Sequence, residues 1–285
     1  MRFRNRRDFA GKACAAEAGR QRMISQLLPV LFQVGPITVY TYGVAIALAF
    51  LISLFIIMHE SKRKGFNPDF AYDLVLFAMV GGIAGARLVY VIDHWHDFAA
   101  NPAQIFAIWQ GGLVFYGGLI GGTLAVLGLV KMKKMLVGKV ADIVAPCLAI
   151  GSAVGRLGCF SNGCCYGQAT NVPWAISFNN PLSAAQPLGV PLHPTQLYEA
   201  AYNILILGVL WFSRKKVKSD GLLFWLYIAL YGLFRFIVEF FRANPDVILG
   251  LSASQLFSAF MLVAGLTVIF TYYLRPANVV AGREG

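Results

Sequence analysis

Arg87, Arg156 and Arg235 each lie inside an apolar run long enough to cross a lipid bilayer. A guanidinium stays charged in any surroundings, and at the centre of a span it costs about 2.5–3.5 kcal/mol on insertion scales. Three such residues imply a polar chamber in the bundle whose occupant is anionic. Glu239 follows Arg235 by one helical turn in YGLFRFIVEFFRANP, on the same helix face. Arg242 comes one turn later, at the water boundary. Arg156 belongs to GRLGCFSNGCCYG (155–167), where a helix end is followed by Asn162 and exposed amides. An arginine fork beside free N–H groups is suited to phosphate. A third motif, HPTQLYE (193–199), puts His193 at the mouth of a span, with Pro194 at its first turn and Tyr198 and Glu199 close behind. His193 reads equally as an interfacial hydrogen-bonder and as a participant in chemistry.

Cys159, Cys164 and Cys165 cluster in the Arg156 motif, Cys147 lies inside the same span, and Cys14 is near the N-terminus. The cluster faces the oxidising side in the topology derived below, so a Cys159–Cys164 disulfide is open to it. There is no second CxxC pair of the kind zinc sites use. A structural bridge or buried thiols is the expectation, with no metal and no organic cofactor. His94 and His96 stand beside Trp95 and Trp109, a mixture typical of an interfacial segment, and no ligand-rich partner follows at metal spacing.

The elements that must position these residues are membrane spans. The chain has 285 residues, 58% hydrophobic and only 13% charged, with a mean hydropathy of +0.65; a soluble domain carries about 25% charged residues. The net charge of +11 is spread in short clusters between apolar runs rather than gathered on one face, which argues against nucleic acid as a partner. Seven stretches approach the length that a core of about 30 Å requires: Ile37–Met58, Phe70–Ile92, Gly112–Val130, Val140–Phe160, Pro194–Phe212, Gly221–Phe241 and Ala253–Leu274. Only helices satisfy their own backbones in lipid. The fold class is therefore read as an all-α integral membrane protein of about seven transmembrane helices. Glycines recur in spans two to four, at Gly117, Gly118, Gly121 and Gly122 for example, where they permit close helix approach.

Loop charge orients the bundle. Loops on one side hold Lys62, Arg63, Lys64, Lys131, Lys133, Lys134, Lys139, Arg214, Lys215, Lys216 and Lys218, and the tail adds Arg275 and Arg283. From residue 93 onward the opposite loops hold only Arg242. The positive-inside rule then places the C-terminus in the cytoplasm and the segment before the first span in the periplasm. Residues 161–193, free of Lys and Arg but containing Tyr166, Trp174 and Phe178, are expected to form a small periplasmic cap loop. Residues 1–22 are strongly basic yet would lie outside, and they lack a signal-peptide core. They are read as a doubtful or disordered extension upstream of a start at Met23, which leaves 23–285 as a single transmembrane domain.

In order and spacing, VGPITVYTYG, GARLVYV, QGGLVFYGGLIGG, GRLGCFSNGCCYG, HPTQLYE and RFIVEFFR resemble the prolipoprotein diacylglyceryl transferase family, over about Val34 to Leu274. The resemblance implies a seven-span enzyme of the bacterial inner membrane. Such enzymes move the diacylglyceryl group of phosphatidylglycerol, a membrane lipid, onto the lipobox cysteine of a prolipoprotein signal peptide, giving a thioether and glycerol 1-phosphate. It further implies that Arg156 and Arg235 are the essential arginines, that Tyr42, Asn162, Gly167 and Glu239 occupy functional positions, and that Arg87 is the second-span arginine. The chain departs from the pattern at Cys159, where many members have Asn, at Cys164, where many have Glu, and at Tyr116, where many have His. Tyr116 stands in the catalytic group as an orienting or proton-relaying hydroxyl, since a phenol of ordinary pKa about 10 is a weak base at neutral pH.

Two other classes fit parts of this pattern. A thiol-redox membrane enzyme would depend on Cys159, Cys164 and Cys165 and tolerate loss of the arginines. A carrier for an anionic solute would use the arginines as its binding site, but such carriers are commonly built from internal repeats, and the motifs here do not recur.

Overall fold

In a computed structural model of the protein, residues 29–273 are described, apart from residues 36, 68, 100, 218, 243 and 249. The N-terminal extension and the tail with Arg275 and Arg283 lie outside the described residues. The described chain runs from a hairpin, β1 (Val30–Val34) and β2 (Ile37–Tyr40), into α1 (Thr41–Arg63), α2 (Asp69–Asp93) and the short α3 (Trp95–Ala99). Two 3-10 turns, Pro102–Phe106 and Ile108–Gln110, lead to α4 (Phe115–Met132) and α5 (Val137–Asn162). An irregular segment then precedes α6 (Thr195–Ser213) and α7 (Leu222–Glu239), and a second small hairpin, β3 (Asp246–Ile248) and β4 (Leu251–Ser252), leads into α8 (Ala253–Tyr273).

Six of these helices have both the length and the hydropathy to cross a membrane, so the chain is a multi-pass membrane protein, and the all-α membrane class expected from the sequence holds. The seventh long helix, α6, has 19 residues but is not among the six. Its buried face carries Thr195, Gln196, Glu199 and Asn203, which lowers its mean hydropathy without shortening it. Helix ends fall within a few residues of the apolar runs, with one exception. Ile37–Tyr40 forms a strand instead of opening the first span. Its β-branched and aromatic residues favour pairing, and Ile37 and Thr38 sit opposite Val34 and Gln33 across a turn with Gly35 at φ +57°. Helix α1 recovers its length at the other end, reaching Arg63.

The chain divides into two compact units. Among the described residues, the first contains residues 29–49, Leu148–Arg214 and residues 225–273; the second contains Phe50–Cys147 and Lys215–Phe224. In the second unit, α2 and α4 meet backbone to backbone. A Cβ on Gly85 would lie 2.8 Å from the Cα of Gly121 and would also strike the Gly117 carbonyl, and one on Gly121 would lie 2.8 Å from the Cα of Gly85. These contacts are what small residues in membrane helices permit. Further along, Phe70, Leu74, Leu129, Val130 and Ile143 form the apolar core. Lys64 bridges Asp142 at 3.2 Å and Asp220 at 3.5 Å, and the second carboxylate oxygen of Asp142 accepts from the backbone N–H of Phe224.

In the first unit, residues between α5 and α6 fold on a small core of their own: Ile176, Phe178, Ala185 and Leu192, flanked by Phe160, Tyr166, Val190 and Leu197. Isolated bridges tie Leu192 to Ala169 and Ile176. The Tyr166 hydroxyl donates to the Gln186 carbonyl and accepts from the Gln186 N–H. This segment is ordered by packing despite having no regular secondary structure.

Candidate functional site

Five charged side chains of the first unit form one continuous network. Glu199, on the buried face of α6 and only 1% exposed, forms an ion pair with Arg156 Nε at 2.8 Å and accepts from Arg242 Nη1 at 2.9 Å, one arginine on each carboxylate oxygen. Glu239, at the end of α7, meets Arg235 Nη1 at 2.5 Å through Oε2, and Arg242 Nε stands 3.9 Å from the same oxygen. The other oxygen of Glu239 accepts from Asn244 Nδ2 at 2.5 Å and Ser252 Oγ at 2.9 Å. Arg235 also reaches Ser254 Oγ at 3.4 Å. Buried charge persists only when paired and hydrogen-bonded, and each carboxylate here is fully engaged. Three guanidiniums against two carboxylates leave the network with one excess positive charge. Among the described contacts, Arg156 commits only Nε to Glu199, so its outer N–H pair is the natural fork for an oxyanion.

Tyr42, Asn162, Gly167 and His193 belong to the same compact unit as this network. Close approach of α1 and α5 packs Tyr42 on Gly158: a Cβ on Gly158 would lie 2.9 Å from Ala45 Cβ and 3.1 Å from Tyr42 Cδ2. Asn162 closes α5, and its carbonyl accepts from Ala184 N–H at 2.9 Å. Gly167 is a spacer. A Cβ there would strike the Phe241 carbonyl and lie 2.8 Å from His193 Cβ and Thr195 Cγ2. The backbone at Gly167 and Gln168 thereby stitches to His193 and to Phe241. His193 Nδ1 is 3.1 Å from the Tyr198 hydroxyl, which accepts from Trp174 Nε1 at 2.6 Å. The His193 ring also packs on Phe241, at 5.1 Å.

Arg87 and Tyr116 belong to the second unit. Arg87 is 7% exposed and donates to four backbone carbonyls: Nε to Ile105, Nη1 to Gly111 and Gly112, and Nη2 to Gln104, at 2.6–3.2 Å. Its guanidinium also lies over the rings of Tyr90 and Phe98. Its visible work is to fasten the turns between α3 and α4. Gly112, at φ +73°, allows this, because a Cβ would lie 2.6 Å from Arg87 Nη1. Tyr116, in the first turn of α4, is 72% exposed and meets Phe115 edge to face.

The three cysteines converge as well. Cys159, Cys164 and Cys165 are free thiols whose sulfur atoms all lie within 4.8 Å of one another. Thiol hydrogen bonds from Cys159 and Cys164, and then the charges of Arg156 and Arg242, hold the Cys165 thiol below its ordinary pKa. Sequence reasoning did not assign Glu199 a role, although an acid among the apolar residues of a span is itself a signal that a buried cation awaits it.

Fixed positive charge held among the helices of a multi-pass membrane protein suits an anionic group. Comparison with known proteins narrows this. The family model for prolipoprotein diacylglyceryl transferase matches residues 29–271, and the chain belongs to that family. It is 38% identical to the phosphatidylglycerol–prolipoprotein diacylglyceryl transferase of Clostridium tetani over 242 residues, covering 84% of this chain and 96% of the relative. The enzyme of that name from Geobacter sulfurreducens is 40% identical over 250 residues (84% and 93%), and that from Nostoc sp. is 37% identical over 256 residues (87% and 90%).

Proposed function

We propose that the protein transfers the diacylglyceryl group of phosphatidylglycerol to the lipobox cysteine thiol of prolipoproteins, and that residues 23–285 act as one transferase domain in the bacterial inner membrane. The observation that carries this reading is the Arg156–Glu199–Arg242–Glu239–Arg235 network with its excess positive charge. The relatives' names supply the two substrates.

The chemistry is substitution at a glycerol carbon by sulfur. The lipobox thiol loses its proton, the thiolate forms the C–S bond, and the C–O bond to phosphate breaks with its electron pair on the leaving glycerol 1-phosphate. A free thiol has a pKa of about 8.5, so the positive field favours the nucleophile. The same field stabilises the departing phosphate. Glu199 and Glu239 orient the arginines without neutralising all of them. Asn162 and Gly167 shape the backbone beside the headgroup, Tyr42 and His193 border it, and Arg87 positions the α3–α4 turns. Tyr116 contributes a hydroxyl at the start of α4. In the positive-inside orientation, residues 161–193 form a periplasmic cap beneath which the lipobox meets the lipid, with the C-terminus in the cytoplasm.

The test is transfer to a prolipoprotein by membranes bearing Arg156→Ala or Arg235→Ala, read as a gel shift and as glycerol phosphate released. Each variant should insert normally and lose about 10²–10³ in rate, the usual cost of one preorganised charge contact. Near-normal turnover in either removes that arginine from the mechanism.

A further inference from the structure

We propose that Cys159, Cys164 and Cys165 form a three-sulfur site for a zinc-class ion whose fourth coordination position receives the thiol to be alkylated. The sequence argued against metal for want of a second cysteine pair. The fold supplies what was missing by returning the chain after α5 so that Cys164 and Cys165 face Cys159 on the last helical turn. Zinc–sulfur bonds of about 2.3 Å place tetrahedrally arranged sulfurs about 3.8 Å apart. The three sulfur atoms, all within 4.8 Å of one another, need to contract by about 1 Å or less. A disulfide would use two of them and leave the third unexplained.

The arrangement is built rather than incidental. The Cys164 N–H donates to the Cys159 carbonyl at 3.1 Å. Two fully buried side chains clamp the next carbonyls: Gln196 Nε2 donates to Cys164 O at 2.7 Å and Thr195 Oγ1 to Cys165 O at 2.8 Å. Cys165 is held at φ +62°, an unusual conformation for a residue with a side chain. Three protein ligands and one open position is the pattern of catalytic rather than structural zinc, and a thiol that coordinates zinc is deprotonated outright.

The thiol-activating part rests on the proposed function. On binding, the substrate thiol releases its proton to solvent. Its sulfur then leaves the metal as it bonds to the glycerol carbon, while the phosphate departs with the C–O electron pair. No electrons are exchanged with the metal.

The full-length protein in detergent, stripped of metal and kept reduced by a phosphine, is titrated with Co²⁺. The expected result is one Co²⁺ per chain with sulfur-to-metal charge-transfer absorption, displaced by Zn²⁺. A lipobox peptide with Cys, but not one with Ser, should then shift the Co²⁺ ligand-field bands. Cys159→Ser, Cys164→Ser and Cys165→Ser should each weaken binding by at least about 10–100-fold, the loss seen even for outer-shell changes, whereas Cys147→Ser should not. Should these variants fail to fold, the wild type still answers: Zn²⁺ should protect three thiols from alkylation, counted by mass. Absence of Co²⁺ uptake with the thiols shown reduced overturns the site, as does a Cys159–Cys164 disulfide in protein isolated without reductant. Full transfer by metal-stripped protein overturns the activation while leaving the transferase reading intact. Transfer absent under every metal condition, with the Co²⁺ and peptide responses present, sinks the transferase reading and supports the metal site.

Discussion

Glu199 holds two arginines at once, Arg156 on one oxygen and Arg242 on the other. Removing its charge should therefore reach further than the loss of one contact. Glu199→Gln keeps the shape but leaves Arg156 without its anion and Arg242 with only Glu239 at 3.9 Å, in a setting where breaking a buried pair typically costs about 3–5 kcal/mol. We expect transfer to fall by about 10²–10³ together with a lower melting temperature, and we expect Glu199→Asp to restore part of both. Unchanged melting and turnover would mean that the arginines are held by something else. Arg235 makes a separate case. Its two outer nitrogens serve Glu239 and Ser254, a spread that a single ammonium lacks. Arg235→Lys should therefore be nearly as inactive as Arg235→Ala in the gel-shift assay, and wild-type turnover by the lysine form would show that point charge suffices. At this scale the sequence was informative for Arg156, Arg235 and Glu239, because charge in an apolar run demands an explanation, and because Arg235 and Glu239 share a helix face by spacing alone. The Arg156–Glu199 contact joins different helices, and no periodicity within one helix announces it. The same holds for Cys159 and its two partners, which meet only because Gly163, at φ +73°, lets the chain turn back.

Helix positions were legible from apolar run length, since the membrane core fixes it. The hairpin before α1 was not, because Ile37–Tyr40 is as apolar as the span that follows and its strand pairing depends on Val30–Val34. The contact between α2 and α4 shows how little side-chain volume this architecture tolerates at chosen points. Gly85 and Gly121 face one another's backbones, so Gly85→Val or Gly121→Val has to separate the helices. Each should lower the melting temperature of the detergent-solubilised protein sharply. Gly128, on the same helix α4, has nothing within 4 Å of its would-be Cβ; Gly128→Ala should be neutral or stabilising by about 0.5–1 kcal/mol, because it removes backbone freedom from a helix interior. Equal effects at Gly121 and Gly128 would mean that helix propensity rather than close approach sets the outcome.

For the molecule as a whole, the arginine network is meaningful only with its orientation in the membrane. In the positive-inside reading, the lysine clusters that follow α1, α4 and α6 share one side of the membrane and the charge-poor segment between α5 and α6 takes the other. Moving these clusters across the bilayer is opposed by the bias that sets topology during insertion. Alkaline phosphatase, which folds only in an oxidising compartment, reports the result. Fused after Trp174 it should be active in cells, and fused after Lys133 or Lys216 it should be inactive. The opposite pattern would put Arg156, Glu199 and the three cysteines at the reducing face. A secreted prolipoprotein would then have to present its lipobox before export, and the proposed cap over the lipid headgroup would stand on the wrong side of the membrane. The fusion result thus decides whether the positive charge held by Arg156, Arg235 and Arg242 can meet a thiol emerging on the outer surface.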